Sequence, residues 1–188
     1  MIEHSPWIGC HYKDGINGQR IAIIGYSHWL GDGDEDSTEA TIVCIRSVMS
    51  GEWKIRFFTQ VRNYFGFDGH RVFWPHVMFF NYLPCCVGNA DGRYDHGTNE
   101  QRAVAATRLL TLLREHLPDK VFIFSGRYWA FPLTTGLCQK LGACYSNFCF
   151  GTYGAGTRHI PVFFLRHPQG ANGDLMRRAV RHILDRPT

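Results

Sequence analysis

The stretch Q-R-I-A-I-I-G-Y, residues 19–26, decides the fold of this chain. Between Arg20 and Gly25 it has four apolar residues in succession, with no alternation of apolar and polar side chains. A strand of this composition is buried on both faces, as strands are in parallel sheets covered by helices. The polar Gly/Asp run at residues 31–36 ends it. We therefore predict a central parallel strand that leads into a loop.

Three further segments have the character of buried strands. Residues 77–83 (V-M-F-F-N-Y-L) are apolar except for Asn81, and Pro84 stops them. Residues 120–125 and 160–166 are the other two apolar runs, each bounded by polar or turn-forming residues. The sequence thus predicts four strands in all.

Helical patterns separate these strands. The clearest covers residues 98–117, where Thr98 and Gln101 have capping-box spacing and leucines supply an apolar stripe. Asp36 and Glu39 have the same spacing before a second helix. The other helices are predicted at residues 36–49, 53–65, 128–141 and 173–184, whereas the Gly-, Tyr- and Phe-rich residues 144–157 are expected to form a long surface loop.

The alternation of strands and helices runs through all 188 residues, which suffice for one core but are short for two domains. It predicts a single α/β domain, a three-layer α/β/α sandwich with a four-stranded, mostly parallel sheet.

No basic leader and no run of about 18 apolar residues is present. The seven cysteines include no C-x-x-C pair, and because their number is odd they cannot all pair in disulfides within the chain. We expect a cytoplasmic protein without a membrane span.

The positive charge of the chain is concentrated near its C-terminal end. The formal net charge is +4, and residues 158–188 alone hold six Arg against Asp174 and Asp185. A face of this kind can bind phosphates, because neutralised phosphates release counterions. A solvated helix face is the equally open alternative.

Ligands of open α/β sheets bind beyond the carboxyl ends of the strands, where loops and helix N-termini converge. The polar and glycine residues at those predicted ends are therefore the candidate site. They are Gly25, Tyr26, Ser27, His28 and Trp29 after the first strand, Asn81 near the end of the second, Ser125, Gly126 and Arg127 after the third, and Arg166, His167 and Pro168 after the fourth.

Asn81 and His167 are the most informative of these. An amide inside an apolar strand needs partners for its donor and its acceptor, and a nucleobase edge supplies a matching pair. Backbone groups nearby are the alternative partners. An imidazole at a sheet end can donate to a carbonyl oxygen or to developing negative charge, although a purely structural role is open for His167 as well.

The acidic run of Asp32, Asp34, Glu35 and Asp36 lacks the Gly and Glu that a calcium loop needs, so no metal site is expected there. Asp32 can still position a water molecule as a general base.

Most aromatic side chains must belong to the core, but one or two at the rim of the pocket can stack on a nucleobase. The candidates in the connecting segments are Trp29, Trp53, Phe57, Phe58, Tyr64, Phe65, Phe67, Phe73 and Trp74.

Taken in order, four motifs resemble those of the uracil-DNA glycosylase superfamily. They are I-A-I-I-G-Y-S-H-W at residues 21–29, F-F-N-Y-L-P-C at 79–85, F-I-F-S-G-R at 122–127 and F-F-L-R-H-P-Q at 163–169. The chain is more closely similar to a poorly characterised branch whose first motif reads G-E-S-H-Y.

The resemblance implies a uracil-DNA glycosylase-like fold and a pocket that receives a base flipped out of single- or double-stranded DNA. Asn81 would read the base edge, His167 would stabilise the departing base anion, and an aromatic side chain would stack on the base. Hydrolysis of the N-glycosidic bond of uracil or a related damaged base would follow, as in base excision repair. Some members of the superfamily carry an iron–sulfur site, but Cys10, Cys85 and Cys86 lack paired ligand spacing, and we expect no cofactor.

Two departures from the family pattern leave other functions open. Ser27 occupies the position of the usual water-activating Asp or Asn, and Tyr26 replaces the Glu of the closer branch. Water activation would then come from His28 or Asp32, or be absent, which leaves a catalytically inactive nucleic-acid or nucleotide-binding domain as the alternative. A small serine esterase using Ser27 and His167 is a third hypothesis, although no Asp precedes that His.

Overall fold

The structure is a computed structural model that describes residues 2–30, 33, 35–87, 96–125, 135–140, 149–155 and 158–187. Its strands are β1 (Trp7–Ile8), β2 (Ile21–Gly25), β3 (Val77–Asn81), β4 (Lys120–Phe124), β5 (Thr135–Lys140), β6 (Cys149–Ala155) and β7 (Arg158–Leu165). Its helices are α1 (Ala40–Ser50), α2 (Arg56–Tyr64), α3 (His70–Phe73), α4 (Asn99–His116) and α5 (Gly173–Leu184), with 3-10 turns at Trp74–His76 and Pro168–Gly170.

All seven strands form one mixed sheet in the order β1-β3-β2-β4-β7-β6-β5. The four strands predicted from the sequence are its centre, β3-β2-β4-β7, and they are parallel to one another. β1 pairs antiparallel with β3, β6 with β7, and β5 with β6. The prediction of a mixed α/β class is confirmed, but the expected four-stranded sheet is wrong, because three antiparallel strands extend it.

The two strands β5 and β6 correct two predictions. The helix predicted at residues 128–141 is a strand over Thr135–Lys140, while residues 126–134 lie outside the described part. The loop predicted at residues 144–157 contains β6. Tyr, Phe and Thr favour strands, and pairing from Cys149–Phe164 to Ala155–Arg158 satisfies the free backbone edge of β7.

The sheet has a hydrophobic core on each face. One core joins alternate residues of the central strands, such as Ile23 and Phe79, to α1, α2 and α5. The other joins the intervening residues, such as Ile24 and Phe80, to α4. Helices therefore cover both faces of the parallel centre, which is why these strands are apolar throughout. None of the helices in the described part is long and apolar enough to cross a membrane.

The helix termini confirm one capping box and correct another. At α4 the Thr98 hydroxyl accepts from the Gln101 backbone N–H (3.1 Å), and the Gln101 side chain accepts from the Thr98 N–H (2.7 Å). At α1 the N-cap is Glu39, whose side chain makes no capping hydrogen bond. Asp36 does not cap α1; its carboxylate binds His4 and the backbone N–H of Cys86 instead. The helix α5 has its predicted bounds.

Lys120, at the start of β4, fastens the C-terminal end of α5 to the sheet. Its ammonium group is fully buried and donates to the carbonyls of Ile183 (2.8 Å), Leu184 (2.9 Å) and Arg186 (2.6 Å). Cations are favourable at helix C-termini, where carbonyls lack intrahelical partners. Burial lowers the pKa of Lys120, and the three carbonyls replace the water it has lost.

We expect Lys120→Met to lower the free energy of unfolding by about 3 kcal/mol, because charged hydrogen bonds to buried carbonyls are lost. Urea denaturation followed by circular dichroism measures this change. Lys54→Met is the matched control: Lys54 is exposed, and we expect a change within about 0.5 kcal/mol. Equal effects of the two substitutions would refute the anchoring role of Lys120.

Candidate functional site

The candidate site lies at the carboxyl edge of the parallel strands. β2 ends at Gly25 and β3 at Asn81, and these two residues are partners in the parallel register. Each candidate comes two residues after a member of one core. Gly25 follows Ile23, Asn81 follows Phe79, and His167 follows Leu165. Strand alternation therefore directs the Asn81 side chain to the face covered by α1, α2 and α5. His167 lies beyond the end of β7 and reaches the same face through its ring contact with Phe57 on α2.

Asn81 is held against the backbone of Gly25. A Cβ atom added to Gly25 would lie 2.1 Å from Asn81 Oδ1, so only glycine leaves room for the amide. Asn81 is 6% exposed, and within the described residues its side-chain amide has no hydrogen bond. Buried amides are normally satisfied. Among the described residues, the site thus presents a donor and an acceptor with unused hydrogen-bonding capacity.

Arg108 fixes the backbone of Asn81 from the other side of the sheet. Its buried guanidinium donates to the Asn81 carbonyl (2.9 Å) and to the His4 carbonyl, and it lies 5.3 Å above the ring of Phe80. Glu3 forms an ion pair with it at 3.3 Å. This contact connects the N-terminal segment to the strand that carries the candidate amide.

His167 presents a hydrogen-bond donor at the end of β7. Its Nδ1 accepts from the backbone N–H of Gln169 at 3.3 Å, in the turn Pro168–Gly170. A neutral imidazole whose Nδ1 accepts carries its proton on Nε2, so Nε2 is the donor of this ring. The ring is exposed and its centroid lies 5.5 Å from that of Phe57.

Phe57, on α2, completes this group. Its half-buried ring lies 5.5 Å from His167 and 6.0 Å from Phe79, which precedes Asn81 by two residues. Sequence reasoning named Phe57 only as one of nine aromatic residues. Its neighbour Phe58 is buried in the core, and neither composition nor spacing distinguishes the two.

The structure does not bring Tyr26 to this group. The Tyr26 ring is buried in the core on the α4 side, and its hydroxyl donates to the His96 carbonyl at 2.8 Å. Of the remaining predicted residues, Ser27 is half-buried, Trp29 is 57% exposed, Ser125 is buried, and Arg166 is exposed. Asp32, Gly126 and Arg127 lie outside the described residues.

His28 packs towards α1 and the N-terminal segment. Its Nε2 is 3.0 Å from the hydroxyl of Thr41, and its ring centroid is 5.4 Å from that of His4. Burial, and secondarily the neighbouring His4, lower the pKa of His28 to about 4. The imidazole is therefore neutral at pH 7 but a weak base.

One group of side chains that sequence reasoning missed can hold a metal ion. His4, Asp36 and Cys86 each place a ligand atom within 4.8 Å of the others. The three residues are far apart in the sequence, and no spacing motif reveals them. The sequence assigned Asp36 to a helix cap instead.

The fold is of the mixed α/β class, and the candidate site lies at the carboxyl ends of its parallel strands. No family model matches the chain, and no curated protein matches it either. What the site does must therefore be inferred from its own geometry.

We expect Gly25→Ala to lower the free energy of unfolding by about 1–3 kcal/mol, because the new methyl group would overlap Asn81 Oδ1. Thermal and urea denaturation measure the loss. Gly173→Ala is the control, since a Cβ there meets nothing within 4 Å. A Gly25→Ala protein as stable as the wild type would show that Asn81 is free to move away.

Proposed function

We propose that this protein is a DNA glycosylase-like hydrolase that cleaves the N-glycosidic bond of a damaged or deaminated base, uracil or a related one. The observation that carries the proposal is the Asn81 amide, which is 6% exposed and has no hydrogen-bond partner within the described residues. The ordered motifs of the sequence favour the same reaction class.

Asn81 would read the base. An amide offers a donor and an acceptor side by side, and the Watson–Crick edge of a pyrimidine offers the complementary pair. Asn81 Oδ1 lies against the Gly25 backbone, and Arg108 binds the Asn81 carbonyl. The backbone that presents the amide is therefore ordered before the base binds. A base with the wrong edge would leave the buried amide unsatisfied, which gives discrimination.

His167 and Phe57 would serve the leaving base. The Nε2–H of His167 can donate to the carbonyl oxygen on which negative charge develops as the glycosidic bond breaks. Phe57, 5.5 Å from that imidazole, would stack on the base, an interaction worth about 1–3 kcal/mol. The electron pair of the C–N bond would pass to the base, and water would add to the sugar carbon.

Neither Ser27 nor His28 is an efficient base for water activation. Ser27 is not a base at neutral pH, and His28 has a pKa of about 4 and a hydrogen bond to Thr41. Asp32 stays a hypothesis for this role. These features favour the second candidate function, a nucleic-acid or nucleotide-binding domain that keeps the base pocket without efficient hydrolysis.

The geometry gives the serine esterase hypothesis no support. A catalytic triad needs Nδ1–H of the histidine to donate to a carboxylate. In His167 the Nδ1 accepts from Gln169 instead, and no hydrogen bond joins Ser27 to His167 within the described residues.

DNA is the partner that the proposal implies. Arg166 next to His167 is exposed, and so are Arg177, Arg178 and Arg181 on α5. Their charges can neutralise backbone phosphates on either side of a flipped nucleotide.

The test is cleavage of labelled single- and double-stranded oligonucleotides that carry uracil, hypoxanthine or xanthine. We expect His167→Ala to lower kcat by about 10²- to 10³-fold, because leaving-group stabilisation acts in the transition state. We expect Asn81→Ala to lower kcat/KM by about 10- to 100-fold through lost base contacts. His159→Ala is the control, since His159 is an exposed imidazole on the same strand β7.

Full activity in both site variants would contradict the assignment of the pocket. If the folded wild type cleaves no substrate, measuring its affinity for the same oligonucleotides decides between the candidates. Binding that weakens in Asn81→Ala but not in His159→Ala supports the binding domain, whereas no binding removes both.

A further inference from the structure

Beside the candidate site, three side chains hold potential metal-ligand atoms close together. His4 Nε2 lies 2.6 Å from Asp36 Oδ1 and 4.0 Å from Cys86 Sγ, and all three ligand atoms are within 4.8 Å of one another. His4 is 1% exposed, and Asp36 and Cys86 are half-buried. The group thus combines nitrogen, oxygen and sulfur donors away from bulk solvent.

The arrangement is not that of a cysteine nucleophile. In a catalytic triad the thiol and the carboxylate contact different nitrogens of the imidazole. Here both face Nε2 of His4, while Nδ1 is buried with no hydrogen bond. Nitrogen, oxygen and sulfur donors gathered within 4.8 Å of one another can coordinate a metal ion, which would replace the His4–Asp36 hydrogen bond.

The backbone holds the three ligands in place before any ion binds. The His4 N–H donates to the Pro84 carbonyl (2.7 Å), two residues before Cys86. The Cys86 N–H donates to the second carboxylate oxygen of Asp36 (3.0 Å), which orients that carboxylate. Outer contacts of this kind direct ligand atoms and raise metal affinity.

We propose that His4, Asp36 and Cys86 bind a divalent transition-metal ion, with Zn²⁺ as the best match. Zinc takes thiolate, imidazole and carboxylate ligands, whereas Ca²⁺ and Mg²⁺ prefer oxygen alone. On binding, the Cys86 thiol releases its proton to solvent, and His4 coordinates the ion through an unprotonated Nε2. The described residues supply three of the four ligands that zinc usually takes.

The ion would join three segments that meet at the carboxyl edge of the sheet. His4 lies before β1, Asp36 follows β2, and Cys86 follows β3. The His4 ring also packs 5.4 Å from His28 in the first motif. Metal binding would therefore stabilise the surroundings of the candidate pocket, whether or not that pocket is catalytic.

The test uses the full chain after treatment with a chelator. Zn²⁺ binding is measured by equilibrium dialysis with elemental analysis, and Co²⁺ binding by the sulfur-to-cobalt charge-transfer absorption of a thiolate ligand. We expect one ion per chain, the thiolate absorption, and a higher melting temperature with Zn²⁺. Each variant is first shown to be folded by circular dichroism.

Cys86→Ser should abolish the charge-transfer band, and Asp36→Asn, which keeps an acceptor for the Cys86 N–H, should weaken Zn²⁺ binding. Cys10→Ser is the matched control, because Cys10 is an exposed free thiol outside the group. The proposal is overturned if folded wild type binds no ion. It is equally overturned if the band persists in Cys86→Ser or disappears in Cys10→Ser.

Discussion

The close approach of the Asn81 amide to the backbone of Gly25 is the contact on which the candidate site depends. Parallel register brings the last residues of β2 and β3 together, and the missing side chain of Gly25 leaves room for the amide. If Gly25 carried a side chain, the Asn81 amide would have to turn away, and the candidate site would keep only the hydrogen-bond donor of His167. The parallel centre of the sheet thus shapes the candidate site through the fit of one side-chain oxygen against one glycine.

The sequence predicted the parallel centre well because those strands are buried on both faces. β2, β3 and β4 carry uninterrupted apolar runs, and such runs are visible without knowledge of their partners. β6 was missed because glycines interrupt its pattern and because its pairing with β7 is a tertiary contact. Antiparallel strands at an edge depend on the neighbour more than on their own composition.

The difference between local patterns and tertiary contacts also separates the candidate site residues that could be predicted from those that could not. Asn81 was predictable because a polar side chain in an apolar strand is conspicuous in a linear sequence. Phe57 could be placed beside His167 only after α2 was packed on the sheet. Asp36 was assigned to a local cap, but its carboxylate binds His4, thirty-two residues away in the sequence, and long-range partners leave no mark on spacing.

The hydrogen bonds of Arg108 limit where the chain can be cut or extended. Its single buried guanidinium donates both to the carbonyl of His4 and to that of Asn81. A deletion or fusion that displaces residues 3–5 would leave this cation without one acceptor and without the Glu3 carboxylate. The cost of an unsatisfied buried charge would then fall on the strand that carries Asn81. Tags and engineered junctions are therefore better tolerated after Arg186, the last residue that Lys120 binds, than next to His4.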